Sequence, residues 1–153
     1  MKKIGLFPGS FDPFTKGHEV VVRKSLNLFD EIIIGIGVNS RKNYLFNLES
    51  RKNHIHSLFT DTEKVSMAVY QELTVTFCAK IGATHIVRGL RDSKDFQYEK
   101  SIAQMNFQLA GIETVFLLTS QEFSAINSSI IREMHLNGAD ISSFVTNPNL
   151  LVL

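Results

Sequence analysis

The run Glu31-Ile-Ile-Ile-Gly-Ile-Gly-Val38 constrains the fold more than any other stretch of the chain. It is too short for a buried helix and lacks the polar alternation of a half-exposed strand. A near-continuous apolar run of this length is the signature of a strand covered on both faces. Residues 114–118 read the same way, and shorter runs at 4–7, 64–69 and 84–87 complete a set of five. Between them lie apolar residues at helical spacing. Val21, Val22, Leu26 and Phe29 form one stripe, and Leu48, Ile55, Leu58 and Phe59 a looser one. Leu73, Phe77 and Ile81 fall at four-residue intervals, and Ile102, Met105, Asn106 and Leu109 occupy i, i+3, i+4 and i+7. Strand alternating with helix predicts an α/β fold with helices on both faces of a parallel sheet. Right-handed crossovers make it a doubly wound, Rossmann-like five-stranded parallel sheet, with its ligand cleft at the carboxyl ends of the strands. The 153 residues fit one domain, 1–153, with no repeat or linker. The last five residues, Asn-Leu-Leu-Val-Leu, are apolar enough to pack on the domain or on a neighbouring subunit.

The first strand feeds a stretch with its own chemistry, Gly-Leu-Phe-Pro-Gly-Ser-Phe-Asp-Pro-Phe-Thr-Lys-Gly-His over residues 5–18. Pro8-Gly9 ends the apolar run, a loop with a hydroxyl and a carboxylate follows, and Gly17-His18 opens an amphipathic segment. Strand, turn and helix start is the geometry in which backbone N–H groups point at a phosphate. His18 then sits in the first helical turn, where an anion also meets the positive end of the helix dipole.

Residues just beyond the other strands would line the same cleft. These are Asn39, Arg41 and Lys42 after the second, Arg88-Gly-Leu-Arg91 after the fourth, and a hydroxyl-rich run at 120–129 leading into Arg132 after the fifth. Cations and a histidine gathered on one edge suit a polyphosphate and a transition state that accumulates negative charge. Each has a plainer reading. Gly9 and Gly17 serve turn geometry, Arg41 and Lys42 are solvated charges, His18 is a surface residue, and Ser128 and Ser129 cap a helix. Arg88 and Arg91 resist dismissal, because Gly89 frees the backbone between them after a buried strand. Asn106 also stands out, as a polar residue in an apolar stripe.

Several chemistries are disfavoured. Net charge is +1, so no global basic field draws the chain to nucleic acid, and any anion is met locally. The single cysteine, Cys78, sits on an apolar helix and agrees with a reducing compartment. The apolar run behind Lys2-Lys3 is too short for a signal-peptide core, and no window approaches a membrane span, so the expected location is the cytoplasm. His54 and His56 face different ways on a helix, and no zinc spacing appears. Walker A and Gly-x-Gly-x-x-Gly patterns are missing, as is a nucleophile paired with a base.

Gly9-Ser10-Phe11-Asp12-Pro13 followed by Thr15-Lys16-Gly17-His18 resembles the Thr/His-x-Gly-His signature of the nucleotidyltransferase superfamily. Threonine in the first place is similar to the phosphopantetheine adenylyltransferase branch. The match continues in order through Arg88-Gly-Leu-Arg91, Asp95-Phe-Gln-Tyr-Glu99, Met105-Asn106 and the segment from Ser124 to Ser129. The resemblance implies transfer of AMP from ATP to 4′-phosphopantetheine, giving dephospho-coenzyme A and pyrophosphate, in a Mg²⁺-assisted homohexamer, with coenzyme A a candidate feedback ligand. It implies that His18 stabilises the transition state, aided by Lys42 and Arg91. Ser10, Lys42, Thr74, Arg88 and Asn106 would meet phosphopantetheine. ATP would meet Ser10, Phe11, His18, Gly89, Leu90, Arg91, Glu99, Phe123, Ser124, Ala125, Ile126, Asn127, Ser128 and Ser129. No side-chain set for the metal is implied. Ser10 stands where the family often has threonine, and Phe123 and Asn127 replace a tryptophan and a serine of its ATP loop.

The attacking group is already a phosphate anion, so no strong base is required. Holding two polyanions in line and neutralising charge on the α-phosphate is the whole task. Two rivals remain. One is a transferase on the same fold acting on nicotinate mononucleotide or an alcohol phosphate, whose branches usually carry histidine where Thr15 stands. The other is a nucleotide-binding module without catalysis.

Overall fold

A computed structural model describes every residue, Met1–Leu153. Strands and helices alternate as β1 (Ile4–Gly9), α1 (Lys16–Ser25), β2 (Glu31–Gly37), α2 (Leu48–Leu58), β3 (Val65–Tyr70), α3 (Thr74–Ile81), β4 (His85–Leu90), α4 (Ser93–Ala110) and β5 (Glu113–Leu118), with α5 (Ser128–Leu136) after them. The strands form one parallel five-stranded sheet in the order β3-β2-β1-β4-β5, the expected doubly wound architecture. Strand order reverses between β1 and β4, the place where such sheets bind ligands. There β1 pairs with β2 from Ile4↔Glu31 through Gly9↔Ile36, but with β4 only at Gly5↔His85 and Leu6↔Ile86. Pro8 has no N–H for a ladder, and its carbonyl accepts a hydrogen bond from the Arg88 guanidinium. Beyond Leu6 the two strands therefore part and leave a cleft.

Side-chain alternation along β2 sorts its isoleucines between the two layers. Ile32, Ile34 and Ile36 pack with Val21, Val22, Ile55 and Leu58 of α1 and α2, whereas Ile33 lies against the opposite cluster, built with Val75, Phe77 and Cys78 of α3. A third cluster joins Phe46 and Ile131 to Ile141, Val145 and Leu151. Part of the apolar tail packs on the domain itself. Leu151 is buried on its own domain, and the Val152 carbonyl accepts from Asn47 N–H at 3.0 Å and Ser50 Oγ at 3.1 Å.

Four expectations change. Pro8 and Gly9 extend β1 instead of ending it, because a proline whose missing N–H faces the opened side costs the β1–β2 ladder nothing. Arg88, Gly89 and Leu90 belong to β4 and not to the loop after it. β5 is apolar yet is an edge strand, with Leu118 69% exposed. Met105 and Leu109 are not packed in the core but are 69% and 67% exposed, and Leu73 precedes α3 and is 67% exposed. Periodicity marks an apolar stripe without saying what covers it.

Candidate active site

Thr15 caps α1, and the Thr-x-x-His spacing explains how. His18 N–H donates to Thr15 Oγ1 at 3.3 Å, and Thr15 N–H donates back to His18 Nδ1 at 3.0 Å. This is a capping box in which an imidazole does the work usually done by a glutamate. Because Nδ1 accepts, a neutral ring carries its proton on Nε2, the nitrogen left for the cleft. Phe11 and Phe14 surround the ring, each with its centroid 5.2 Å away. Burial, and then the Arg88 and Arg91 guanidiniums, pull the His18 pKa from 6.5 to about 3. Phe11 has φ +50, a costly conformation for a bulky residue. Its ring folds over Gly9, where a Cβ would come within 2.8 Å of it.

Two arginines at the end of β4 are held in the same manner. Arg88 clasps Glu99 through Nε and one terminal nitrogen at 2.9 and 2.7 Å, and its other terminal nitrogen donates to the Pro8 carbonyl. Arg91 clasps Asp95 at 2.9 and 3.0 Å and donates to the Ile126 carbonyl at 2.9 Å. Asp95 and Glu99 lie four apart on α4, and so share a face. Each guanidinium keeps one N–H free on either terminal nitrogen. Arg88 and Arg91 are thus pre-oriented and already balanced by carboxylates. Lys42 is exposed and enters no ion pair.

Two cavities meet along this line. The larger, about 910 Å³, is lined by Lys42, Tyr44, Tyr70, Thr74, Ile102 and Asn106. The smaller, about 370 Å³, is lined by Phe11, His18, Gly89, Arg91, Phe123, Ile126, Asn127, Ser128 and Ser129. Pro8, Gly9, Ser10, Arg88 and Glu99 belong to both and form the partition. Leu90, Ser124 and Ala125 line neither, and Leu90 is 8% exposed. Ser128 and Ser129 do not cap α5. Asn127 does, its Oδ1 accepting from Ser129 N–H at 2.8 Å and Ile130 N–H at 3.3 Å.

The cytidylyltransferase-like family model matches residues 6–134. The phosphopantetheine adenylyltransferase of Flavobacterium psychrophilum is 51% identical over 140 residues, 92% of this chain and 93% of its own. That of Bacteroides thetaiotaomicron is 46% identical, again over 92% and 93%. The chain belongs to the phosphopantetheine adenylyltransferase family. A bifunctional NMN adenylyltransferase/ADP ribose pyrophosphatase from Francisella tularensis superposes with TM-score 0.73 at 20% identity, over 99% of this chain and 47% of that one, and shares the fold.

Asn127, which stands where the phosphopantetheine adenylyltransferase resemblance places a serine, is the cap of α5. Four side chains outside the expected substrate contacts support the site. Asp95 pairs with Arg91, and Arg132 donates to the Asp12 carbonyl at 2.8 Å and to Ser129 Oγ at 3.0 Å. Tyr70 donates to or accepts from Thr74 Oγ1 at 3.0 Å, fixing that hydroxyl at the larger cavity. Asp12 accepts the Leu45 and Phe46 N–H groups at 2.8 and 2.9 Å. Only the i+4 spacing of Arg91 and Asp95 was visible beforehand. Cys78 is a buried free thiol whose pKa burial pushes up to about 11.

Proposed function

We propose that this chain transfers AMP from ATP to 4′-phosphopantetheine. An oxygen of the acceptor phosphate bonds to the α-phosphorus, the bond from that phosphorus to the bridging oxygen breaks, and pyrophosphate leaves. The observation that carries the reading is the pair of adjoining cavities separated only by Pro8–Ser10, Arg88 and Glu99. Nucleotide in the smaller and acceptor in the larger would bring the two phosphates together at that partition. His18 Nε2–H and the free Arg88 and Arg91 N–H groups then donate to oxygens on which charge develops, while Ser10 and Lys42 hold the acceptor phosphate. Supplying ATP with either 4′-phosphopantetheine or nicotinate mononucleotide and following pyrophosphate release tests this. Turnover with the first is expected, and turnover with the second alone would overturn it.

No three His, Cys, Asp or Glu side chains gather to hold a metal. The Mg²⁺ is proposed as part of the substrate, carried on the ATP phosphates with its waters. No helix is long and apolar enough to cross a membrane. With its one thiol unpaired, the cytoplasm is the proposed compartment. We also propose the homohexamer, supported by the apolar face of α4 that this chain leaves exposed, and coenzyme A as a feedback ligand sharing the acceptor cavity.

A further inference from the structure

Arg51 is the largest side chain in the chain that is almost wholly buried, at 1% exposure, and it belongs to none of the ion pairs. A buried guanidinium without a carboxylate clasp is expensive, and an apolar side chain would fill the same space at less cost. Its donors show what it holds. Nε donates to the Phe46 carbonyl at 3.1 Å and a terminal nitrogen to the Ser10 carbonyl at 2.7 Å. Its flat face lies on the Tyr44 ring, 4.3 Å from the centroid. Tyr44 continues the connection. Its hydroxyl accepts the Asn39 N–H at 2.8 Å and donates to the Gly37 carbonyl at 3.4 Å. The Asn39 carbonyl accepts the Lys42 N–H at 3.0 Å, and Asn39 Oδ1 accepts the Arg41 N–H at 2.9 Å.

We propose that Arg51 and Tyr44 are positioning residues that set the Lys42 loop against Ser10 and so fix the acceptor side of the site. Ser10 directly follows β1 and Lys42 lies in the segment after β2, and nothing in the sheet ladder joins those two ends beyond Gly9↔Ile36. One planar side chain on α2 reaches both, bonding to the Ser10 carbonyl directly and to the Lys42 loop through the tyrosine. Arginine is suited to this because it bonds to two carbonyls in its plane while stacking on a third group, which lysine cannot do. Asp12 secures the same loop independently through the Leu45 and Phe46 amides, so the loop stays attached when the arginine is weakened and only its placement changes.

The inference rests on the larger cavity being the acceptor side. Tyr44→Phe keeps the ring under Arg51 and removes only the hydroxyl. It is expected to raise the KM for 4′-phosphopantetheine about threefold to tenfold, the worth of one hydrogen bond, with the KM for ATP unchanged. Arg51→Lys is expected to raise it by about tenfold or more, again without an effect on ATP. Amide hydrogen exchange over residues 37–46 in the full chain without substrate is expected to quicken in both variants. Wild-type KM values in folded variants, or equal changes for both substrates, overturn the proposal, since a plain structural staple would lower only the melting temperature. If the wild-type chain does not adenylate phosphopantetheine, the functional reading fails, and unchanged exchange over 37–46 then overturns the positioning role separately.

Discussion

His18 accepts the Thr15 amide proton at Nδ1, which leaves one donor, Nε2–H, on a ring kept neutral by burial and two guanidiniums. In the proposed reaction such a ring would stabilise developing charge through a hydrogen bond fixed in advance, with no proton exchanged. His18→Ala is expected to lower kcat at least about a hundredfold while calorimetry shows ATP binding little changed. Equal losses in both would make it a ground-state contact. The same ring predicts an acid weakness. Its folded pKa lies below the unfolded value, so the unfolded chain takes up the proton first. The His18 contribution is therefore complete above pH 6.5 and declines as pH falls from 6.5 toward 3. His54 is lowered too, chiefly by burial, and acts in the same sense. Nitrogen-15 NMR of His18 in the ligand-free protein should show a neutral, Nε2-protonated ring from pH 8 to 5, and a midpoint near 6.5 would refute this. At this scale His18 was legible from its place at a helix start and Thr15 from the resemblance, but the capping box that joins them was not read, although it spans only three residues. Arg51 was not legible, since its partners lie 5 and 41 residues away and no local pattern marks them.

Element existence followed from hydrophobic periodicity, and the errors in element bounds fell at the carboxyl ends of β1 and β4, where periodicity has least to say. β4 runs on through Leu90 because Gly89 lets α1 settle directly on it: a Cβ there would stand 2.7 Å from Val21 Cγ2. Val21 is 2% exposed and β-branched, so it has little room to yield. Gly89→Ala should therefore push α1, which carries His18, away from the strand that carries Arg88. Overpacking of this kind costs about 1–3 kcal/mol, about 2–10 °C in melting temperature for a domain of this size. We expect a fall in kcat alongside it, measured by pyrophosphate release on the folded variant. A variant that melts early yet turns over normally would show that the His18–Arg88 spacing tolerates the shift. No sequence pattern marks this contact, because a glycine in a strand reads the same whether it frees the backbone or admits a neighbour.

At the scale of the whole molecule, one helix serves two surfaces. Asp95, Glu99, Ile102 and Asn106 follow one another at i, i+4, i+7 and i+11 along α4. The first two hold the arginines, and the last two line the larger cavity. Beside them Tyr98, Met105 and Leu109 are 70%, 69% and 67% exposed, an apolar edge that a core stripe would not leave in water. The sequence made that stripe visible but not its partner, since apolar spacing is identical for a helix covered by its own sheet and one covered by another copy. If copies associate through this edge, assembly and acceptor binding share a helix. Met105→Glu combined with Leu109→Glu should convert the assembled species to the 17.2 kDa chain in sedimentation. Charges at a desolvated contact are costly wherever they lack partners. The dissociated variant should keep most of its ATP affinity, because the smaller cavity is lined chiefly by β1, α1, β4 and residues 119–132, with only Asp95 and Glu99 coming from α4, on the turns farthest from Leu109. Its KM for phosphopantetheine should rise, because Ile102 and Asn106 then sit on a helix supported from one side only. A double variant that still sediments as wild type would place the assembly contact elsewhere, and one that dissociates with both KM values intact would separate assembly from the acceptor cavity.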